Sequence, residues 1–125
     1  EAHYYRAKAY LDAGKTDGAM EDLKILAKDT RNVYGAEAKY KVAQIYFDGG
    51  QTDKAEQEVL NYIEVSTPHT YWLARSFVLL ADVYMKLGRN LDAKQYLLSL
   101  KQNYQADDDI AGMIESRLEK LKTEN

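Results

Sequence analysis

Hydrophobic positions recur along the chain at the spacing of α-helices, and one short pattern appears three times. An alanine is followed by a tyrosine three residues later, by a glycine four residues after that, and by a second alanine five residues further on. The three copies are Ala7, Tyr10, Gly14 and Ala19; Ala43, Tyr46, Gly50 and Ala55; and Ala81, Tyr84, Gly88 and Ala93. Three copies with the same spacing predict a repeated helix-turn-helix unit.

Helix geometry gives each position of the pattern a role. The first alanine and the tyrosine share one face of a helix, and the small alanine lets a neighbouring helix approach closely. The glycine ends that helix, because it readily takes the left-handed conformation found just past a helix C-terminus. A polar residue two positions later is predicted to cap the next helix, whose buried stripe starts at the second alanine. The predicted caps are Thr16, Thr52 and Asn90, and the stripes continue at Leu23, Val59 and Leu97.

These signals together predict seven helices and no strand. The predicted helices span residues 2–13, 17–28, 33–48, 53–64, 68–87, 91–103 and 107–122. Thr67 is expected to cap the fifth helix, with Pro68 at its first helical position. The three aspartates at 107–109 are expected in the first turn of the last helix, where the helix dipole favours negative charge. That helix lacks the repeat pattern and is interpreted as a capping helix, with an apolar stripe of Ile110, Ile114, Leu118 and Leu121.

The repeated pattern resembles the tetratricopeptide repeat. That family has a consensus of about 34 residues with tryptophan, leucine, glycine, tyrosine, alanine, phenylalanine and proline at fixed places. The tyrosine and both small positions match in all three units, although His3 and Lys39 stand at the tryptophan position of the first two. The turn glycines are 36 and 38 residues apart, from Gly14 to Gly50 and from Gly50 to Gly88. These long periods resemble bacterial cell-envelope members of the family.

The resemblance covers residues 1–105 and implies an all-α fold, an α-α superhelix or solenoid of three helix-turn-helix repeats. We expect the repeats at about 1–31, 32–67 and 68–105, followed by the capping helix at 106–125. Because the chain opens directly in a helical pattern, we interpret this single array as a piece of a longer protein.

Composition narrows the range of functions. The formal net charge is -3 and no basic run is present, so we expect no nucleic-acid partner. The most apolar run, 76–81, is far shorter than the roughly 20 residues that span a membrane. The chain has no cysteine, which removes disulfides, thiolate metal sites and cysteine nucleophiles. Its 11 tyrosines favour half-buried helix seams and binding surfaces.

No side-chain pattern points to catalysis. His3 and His69 are the only histidines, and we interpret both as surface residues rather than metal ligands. Glu56 and Glu58 are two residues apart on a predicted helix and therefore diverge. The three consecutive aspartates lack the alternating ligand spacing of a calcium loop. The sequence therefore predicts a protein that is not an enzyme and that holds no cofactor and no metal.

The family resemblance implies a binding surface on the first helix of each repeat, because those helices line the concave face in this family. The candidate peptide-binding groove combines aromatic and polar side chains: Tyr4, Lys8, Tyr40, Lys41, Gln44, Phe47, Asp48, Asp82 and Met85. Two interpretations of Tyr4, Tyr40 and Phe47 stay open, since these rings would be either exposed anchors or parts of the helix packing. The lysines do not reproduce the clamp with which co-chaperone members hold an acidic C-terminal peptide.

We therefore expect a non-catalytic scaffold that binds a protein or peptide partner along this groove. The alternative is a structural spacer or self-association module within a larger protein. If upstream repeats precede this chain, the first helix has lost a neighbour, and its exposed face would drive self-association through the N-terminal end.

Overall fold

The computed structural model describes residues 2–65 and 67–123. This part of the chain forms seven α-helices and no strand, which confirms the all-α prediction. The helices are α1 (Ala2–Asp12), α2 (Thr16–Leu26), α3 (Val33–Asp48), α4 (Thr52–Glu64), α5 (Thr70–Lys86), α6 (Asn90–Asn103) and α7 (Ile110–Thr123). Only α3 has the predicted bounds at both ends.

The turn that joins each pair of helices has the same backbone in all three copies. Its glycines take positive φ angles of 74°, 81° and 77° at Gly14, Gly50 and Gly88. The next residue donates its N–H to the carbonyl of the repeat tyrosine at 2.8 Å, as Lys15 does to Tyr10. This is the Schellman arrangement, in which a left-handed glycine lets the last carbonyls of a helix find donors. The predicted role of the glycines is therefore confirmed.

The predicted capping residues are wrong by one position. The N-caps of α2, α4 and α6 are Lys15, Gln51 and Arg89, and none of them makes a side-chain capping bond. The physical reason is that the residue after the glycine already gives its carbonyl to the next helix, as Lys15 does to the N–H of Ala19. The residues Thr16, Thr52 and Asn90 are consequently the first helical residues rather than caps.

Two helices begin later than predicted. The helix α5 begins at Thr70, so Pro68 is not its first residue. The Thr67 hydroxyl accepts the N–H of His69 at 3.1 Å and closes a turn ahead of the helix. The helix α7 begins at Ile110, and the three aspartates precede it. Asp108 accepts the N–H of Ile110 at 2.9 Å, so its negative charge still lies at the positive end of the helix.

The chain divides into two compact units, Glu1–Leu73 and Ala74–Asn125. In the first unit, α1 packs on α2, α2 on α3, and α3 on α4. The small alanines of the repeat pattern are buried and allow this close approach, as predicted. The core of this unit contains Ala7, Ala19, Leu23, Ala38 and Val42.

A buried tyrosine fixes α4 against α3. The Tyr62 hydroxyl donates a hydrogen bond of 3.2 Å to the backbone carbonyl of Ala36. Burial raises the pKa of Tyr62 to about 12, so the hydroxyl stays protonated and remains a donor. This bond satisfies a polar group that would otherwise be costly in the core.

In the second unit, Tyr96 of α6 stacks on Phe77 and Tyr84 of α5, with ring centroids 6.2 and 5.6 Å apart. The helix α7 packs against α6. Of the stripe predicted for α7, Ile110, Ile114 and Leu121 are buried and Leu118 is half-buried. The stripe therefore faces the core of this unit.

Candidate functional site

Tyr4 of α1 lies in an aromatic cluster at one end of the candidate groove. Its ring is 4.4 Å from that of Tyr34 and meets Tyr5 edge to face at 5.4 Å. The Lys8 ammonium lies 5.4 Å from the Tyr4 ring centroid, and the Tyr4 hydroxyl donates to Glu37 at 3.1 Å. Burial raises the pKa of Tyr4 and the Glu37 carboxylate raises it further, so the hydroxyl remains a donor at neutral pH.

Polar side chains follow α3 in two hydrogen-bonded series, each spaced four residues apart. The Lys41 ammonium pairs with Glu37 at 2.6 Å. The Tyr40 hydroxyl donates to Gln44 at 2.8 Å, and the Gln44 amide donates to Asp48 at the same distance. Since residues four apart are neighbours on a helix, these contacts need no distant partner. They hold these polar side chains in fixed positions along α3.

Tyr40 is a core residue, so the interpretation of this ring as an exposed anchor is wrong. Only 7% of the residue is exposed. Its ring lies 5.7 Å from that of Trp72, which in turn meets Tyr71 edge to face at 5.0 Å. Its hydroxyl donates to Gln44, which is half-buried. Trp72 is 32 positions away in sequence, so helix periodicity could not indicate this contact.

The remaining groove candidates differ in their solvent exposure and in their hydrogen-bond partners. Phe47 of α3 is half-buried, and Lys8 and Asp48 are exposed. In the second unit, Met85 of α5 is half-buried. Asp82 accepts two hydrogen bonds from the Arg117 guanidinium, at 3.0 and 3.1 Å, so its carboxylate is already neutralised by α7.

Both histidines make hydrogen bonds. His3 contacts the buried Asp22 at 2.8 Å, and His69 contacts the backbone carbonyl of Arg31 at 3.0 Å. Within residues 2–65 and 67–123, no three histidine, cysteine or acidic side chains come together in a way that could hold a metal ion. The partners of His3 and His69 are 19 and 38 positions away, so only the packing of the helices brings them into contact.

Comparison with known families identifies the repeat. A family model described as the tetratricopeptide repeat matches residues 1–29, and a second model of the same description matches residues 74–104. No curated protein and no solved structure matches the chain.

The chain is a tetratricopeptide repeat protein.

The two matches agree with the helical pairs that carry the sequence pattern. The first covers α1 and α2, and the second covers most of α5 and all of α6. Tetratricopeptide repeats generally serve as scaffolds for protein–protein interaction, and proteins of the family are typically not catalysts. A protein partner is therefore the class of ligand that the family indicates. In the described part of the chain, no helix has the length and apolar character needed to cross a membrane.

Sequence reasoning missed a buried lysine of this tetratricopeptide protein. Lys39 occupies the tryptophan position of the second repeat and is 8% exposed. Its ammonium donates to Asn61 at 2.6 Å and pairs with Glu58 at 3.2 Å. The spacing of Asn61 and Glu58, three apart on one face of α4, is the signal that was available. A polar residue at a core position of a repeat predicts such a partner on the adjacent helix.

Proposed function

We propose that this tetratricopeptide protein is a non-catalytic scaffold that binds a protein or peptide partner on the concave face formed by the first helices of its repeats. The observation that supports this most is the strip along α1 and α3 of the first unit. It consists of Tyr4, Lys8, Lys41, Gln44, Phe47 and Asp48, in which aromatic surface alternates with paired polar groups.

The strip is suited to a peptide of modest charge. Aromatic side chains give large contact areas, and a mixed polar rim supplies hydrogen bonds. The series Tyr40–Gln44–Asp48 already holds its side chains in place. Binding therefore costs less side-chain entropy than it would on a surface of free rotamers.

Phe47 tests this proposal, since it is the apolar member that is neither fully buried nor hydrogen-bonded. A partner identified by cross-linking and capture should bind Phe47→Ala about tenfold more weakly, as for a contact worth somewhat over 1 kcal/mol. Titration calorimetry would measure the dissociation constant. Leu91→Ala on α6 is the matched control, because Leu91 is 70% exposed and lies outside the strip.

Tyr40→Ala separates binding from folding. Because the ring is buried against Trp72, its removal should lower the free energy of unfolding by about 3 kcal/mol, whereas Phe47→Ala should lower it much less. A partner that binds wild type and Phe47→Ala with equal affinity contradicts the proposal. An equal loss of stability in both variants would favour the alternative of a structural spacer, since both rings would then be part of the helix packing.

A second candidate function, self-association, is favoured by one observation. Tyr5 of α1 is 61% exposed, although its ring is large and apolar. An exposed aromatic side chain beside other apolar surface is a common feature of protein contacts. This candidate is compatible with partner binding on α3, and the two are tested separately.

A further inference from the structure

In the first unit, α2 and α4 form the walls of a groove whose floor is α3. Two adjoining clefts make up this α2–α4 groove, one of about 610 Å³ and one of about 300 Å³. Met20, Ile45 and Tyr46 line the larger cleft, and Lys39 lies in the smaller one. Lys24 lines both clefts, so they adjoin at that side chain.

Two lysines meet at one aromatic ring in this groove. The ammonium groups of Lys24 and Lys54 each lie 5.7 Å from the ring centroid of Tyr46. The face of an aromatic ring attracts a cation and holds both ammonium groups above apolar surface. Neither lysine forms an ion pair with any carboxylate of the described residues. The positive charge at Tyr46 is therefore available to a ligand.

The acidic side chains of the groove cancel this charge only in part. Glu58 pairs with the buried Lys39. Lys24 and Lys28 line the same smaller cleft, and Glu58 is therefore not their countercharge. Asp17 and Asp48 line the larger cleft near the helix turns, and Asp48 accepts a hydrogen bond from Gln44. The two clefts together are lined by four lysines and three carboxylates, so the α2–α4 groove carries a small excess of positive charge, although the whole chain has a net charge of -3.

We propose that the α2–α4 groove binds an acidic segment of a protein partner. Carboxylates of the segment pair with Lys24 and Lys54, and an apolar side chain between them packs on Tyr46 and Met20. A peptide fits better than a small anion, since the larger cleft combines apolar and charged surface in a volume of about 610 Å³. The inference rests on the proposed scaffold function and adds a second surface to it. Lys39 and Tyr46, seven residues apart, lie on a different face of α3 from Tyr40 and Phe47.

A pair of synthetic peptides tests the inference. The probe is an acetylated, amidated peptide of sequence Glu-Leu-Glu-Phe-Glu, and its control has glutamine in place of each glutamate. Titration of the ¹⁵N-labelled protein should shift the backbone amide signals of α2 and α4 with the glutamate probe only. Because surface charge pairs are screened by salt, the affinity should fall as ionic strength rises.

Charge reversal identifies the residues responsible. The double variant Lys24→Glu, Lys54→Glu should bind the glutamate probe about tenfold more weakly or worse, since two attractive pairs become repulsive. Lys120→Glu on α7 makes the same kind of charge change on an exposed residue outside the groove and should bind as wild type does. Unchanged thermal unfolding of the double variant would show that its fold is intact.

Several outcomes would overturn the inference: equal binding of the two peptides, no binding of either, or full binding by the double variant. Signal shifts confined to Lys8, Gln44 and Phe47 would place the peptide on the groove of α1 and α3, which supports the proposed function and refutes this inference. A third outcome is that the wild-type protein binds neither peptide but its molar mass rises with concentration, while the double variant stays monomeric. This would show that a second copy of the chain occupies the groove, and it would also refute the inference.

Discussion

Asp22 of α2 is a buried carboxylate that contacts two side chains of α1. The Arg6 guanidinium donates two hydrogen bonds to it, at 2.7 and 2.8 Å, and His3 contacts it at 2.8 Å. The Arg6 contacts outweigh the effect of burial and lower the pKa of Asp22 to about 2. Removing Arg6 would leave the buried Asp22 carboxylate without a countercharge, which is strongly destabilising. The ion pair therefore fixes α1 on α2.

The lowered pKa makes a prediction about acid stability. Asp22 titrates near pH 4 when unfolded and near pH 2 when folded, so its stabilisation is complete above about pH 4 and is lost as the pH falls towards 2. Between pH 5 and 2, the free energy of unfolding should decrease by about 1–2 kcal/mol more in wild type than in Asp22→Asn. Urea unfolding at several pH values measures this difference.

The control for Asp22 is an exposed aspartate. Asp53→Asn, in the first turn of α4, removes the same charge from the surface, and Asp22→Asn should reduce the acid dependence more than this variant does. The same dependence in Asp22→Asn as in wild type would contradict the assignment of this carboxylate to the ion pair.

Among the elements, the end of α2 and the start of α3 make the closest backbone contact at a glycine. A Cβ atom added at Gly35 would lie 1.8 Å from the backbone oxygen of Asp29 and 2.6 Å from that of Leu26. These are backbone atoms and cannot rotate away as a flexible side chain would. Glycine is thus required here by packing, whereas Gly50 and its equivalents are required by their positive φ angle.

We predict that Gly35→Ala destabilises the first unit by about 3 kcal/mol, since overpacking at this contact must push α3 away from the end of α2. Gly112→Ala provides a matched control. Gly112 lies within α7 with nothing near its added Cβ, and alanine is the better helix former, so this variant should gain about 0.5–1 kcal/mol. Urea unfolding followed by circular dichroism measures both changes. A Gly35→Ala protein as stable as wild type would contradict this prediction, since the loop between α2 and α3 would then move at little cost to make room for the added methyl group.

At the scale of the whole molecule, the self-association proposal concerns the exposed face of α1. Exposed Ala2 and Ala9 lie three residues before and four residues after Tyr5, so all three share a helical face. An apolar face of this kind can pair with itself about a two-fold axis. This is the molecular basis of the alternative function, and it involves α1 alone.

We predict that the molar mass from light scattering rises with protein concentration and that Tyr5→Glu keeps the protein monomeric, because a carboxylate cannot be buried cheaply in such a contact. Leu91→Glu on α6 places the same charge at another exposed apolar position and should leave association unchanged. A wild-type protein that is monomeric at every concentration would contradict the prediction, and the partner-binding proposal would be unaffected.

The amino-acid sequence by itself determined the helices, the three turns and the family, because all of these depend on residues close together in the chain. The alanine and tyrosine of each repeat lie within one helical turn, and the glycine at Gly14, Gly50 or Gly88 ends a helix through its own φ angle. The starts of α5 and α7 were missed because a proline or a run of aspartates fits a turn before a helix as well as its first turn.

Only the tertiary structure decided which members of a helical face are buried and which are available for binding. Tyr40 and Phe47 are equivalent by helical periodicity, yet Trp72 covers Tyr40 and leaves Phe47 half-exposed. The ion pair of Asp22 and the polar contacts of Lys39 likewise join residues 16 to 22 positions apart. Periodicity fixes the direction of a side chain around its own helix, whereas its neighbours are set by how the helices pack, and burial and pKa follow from those neighbours.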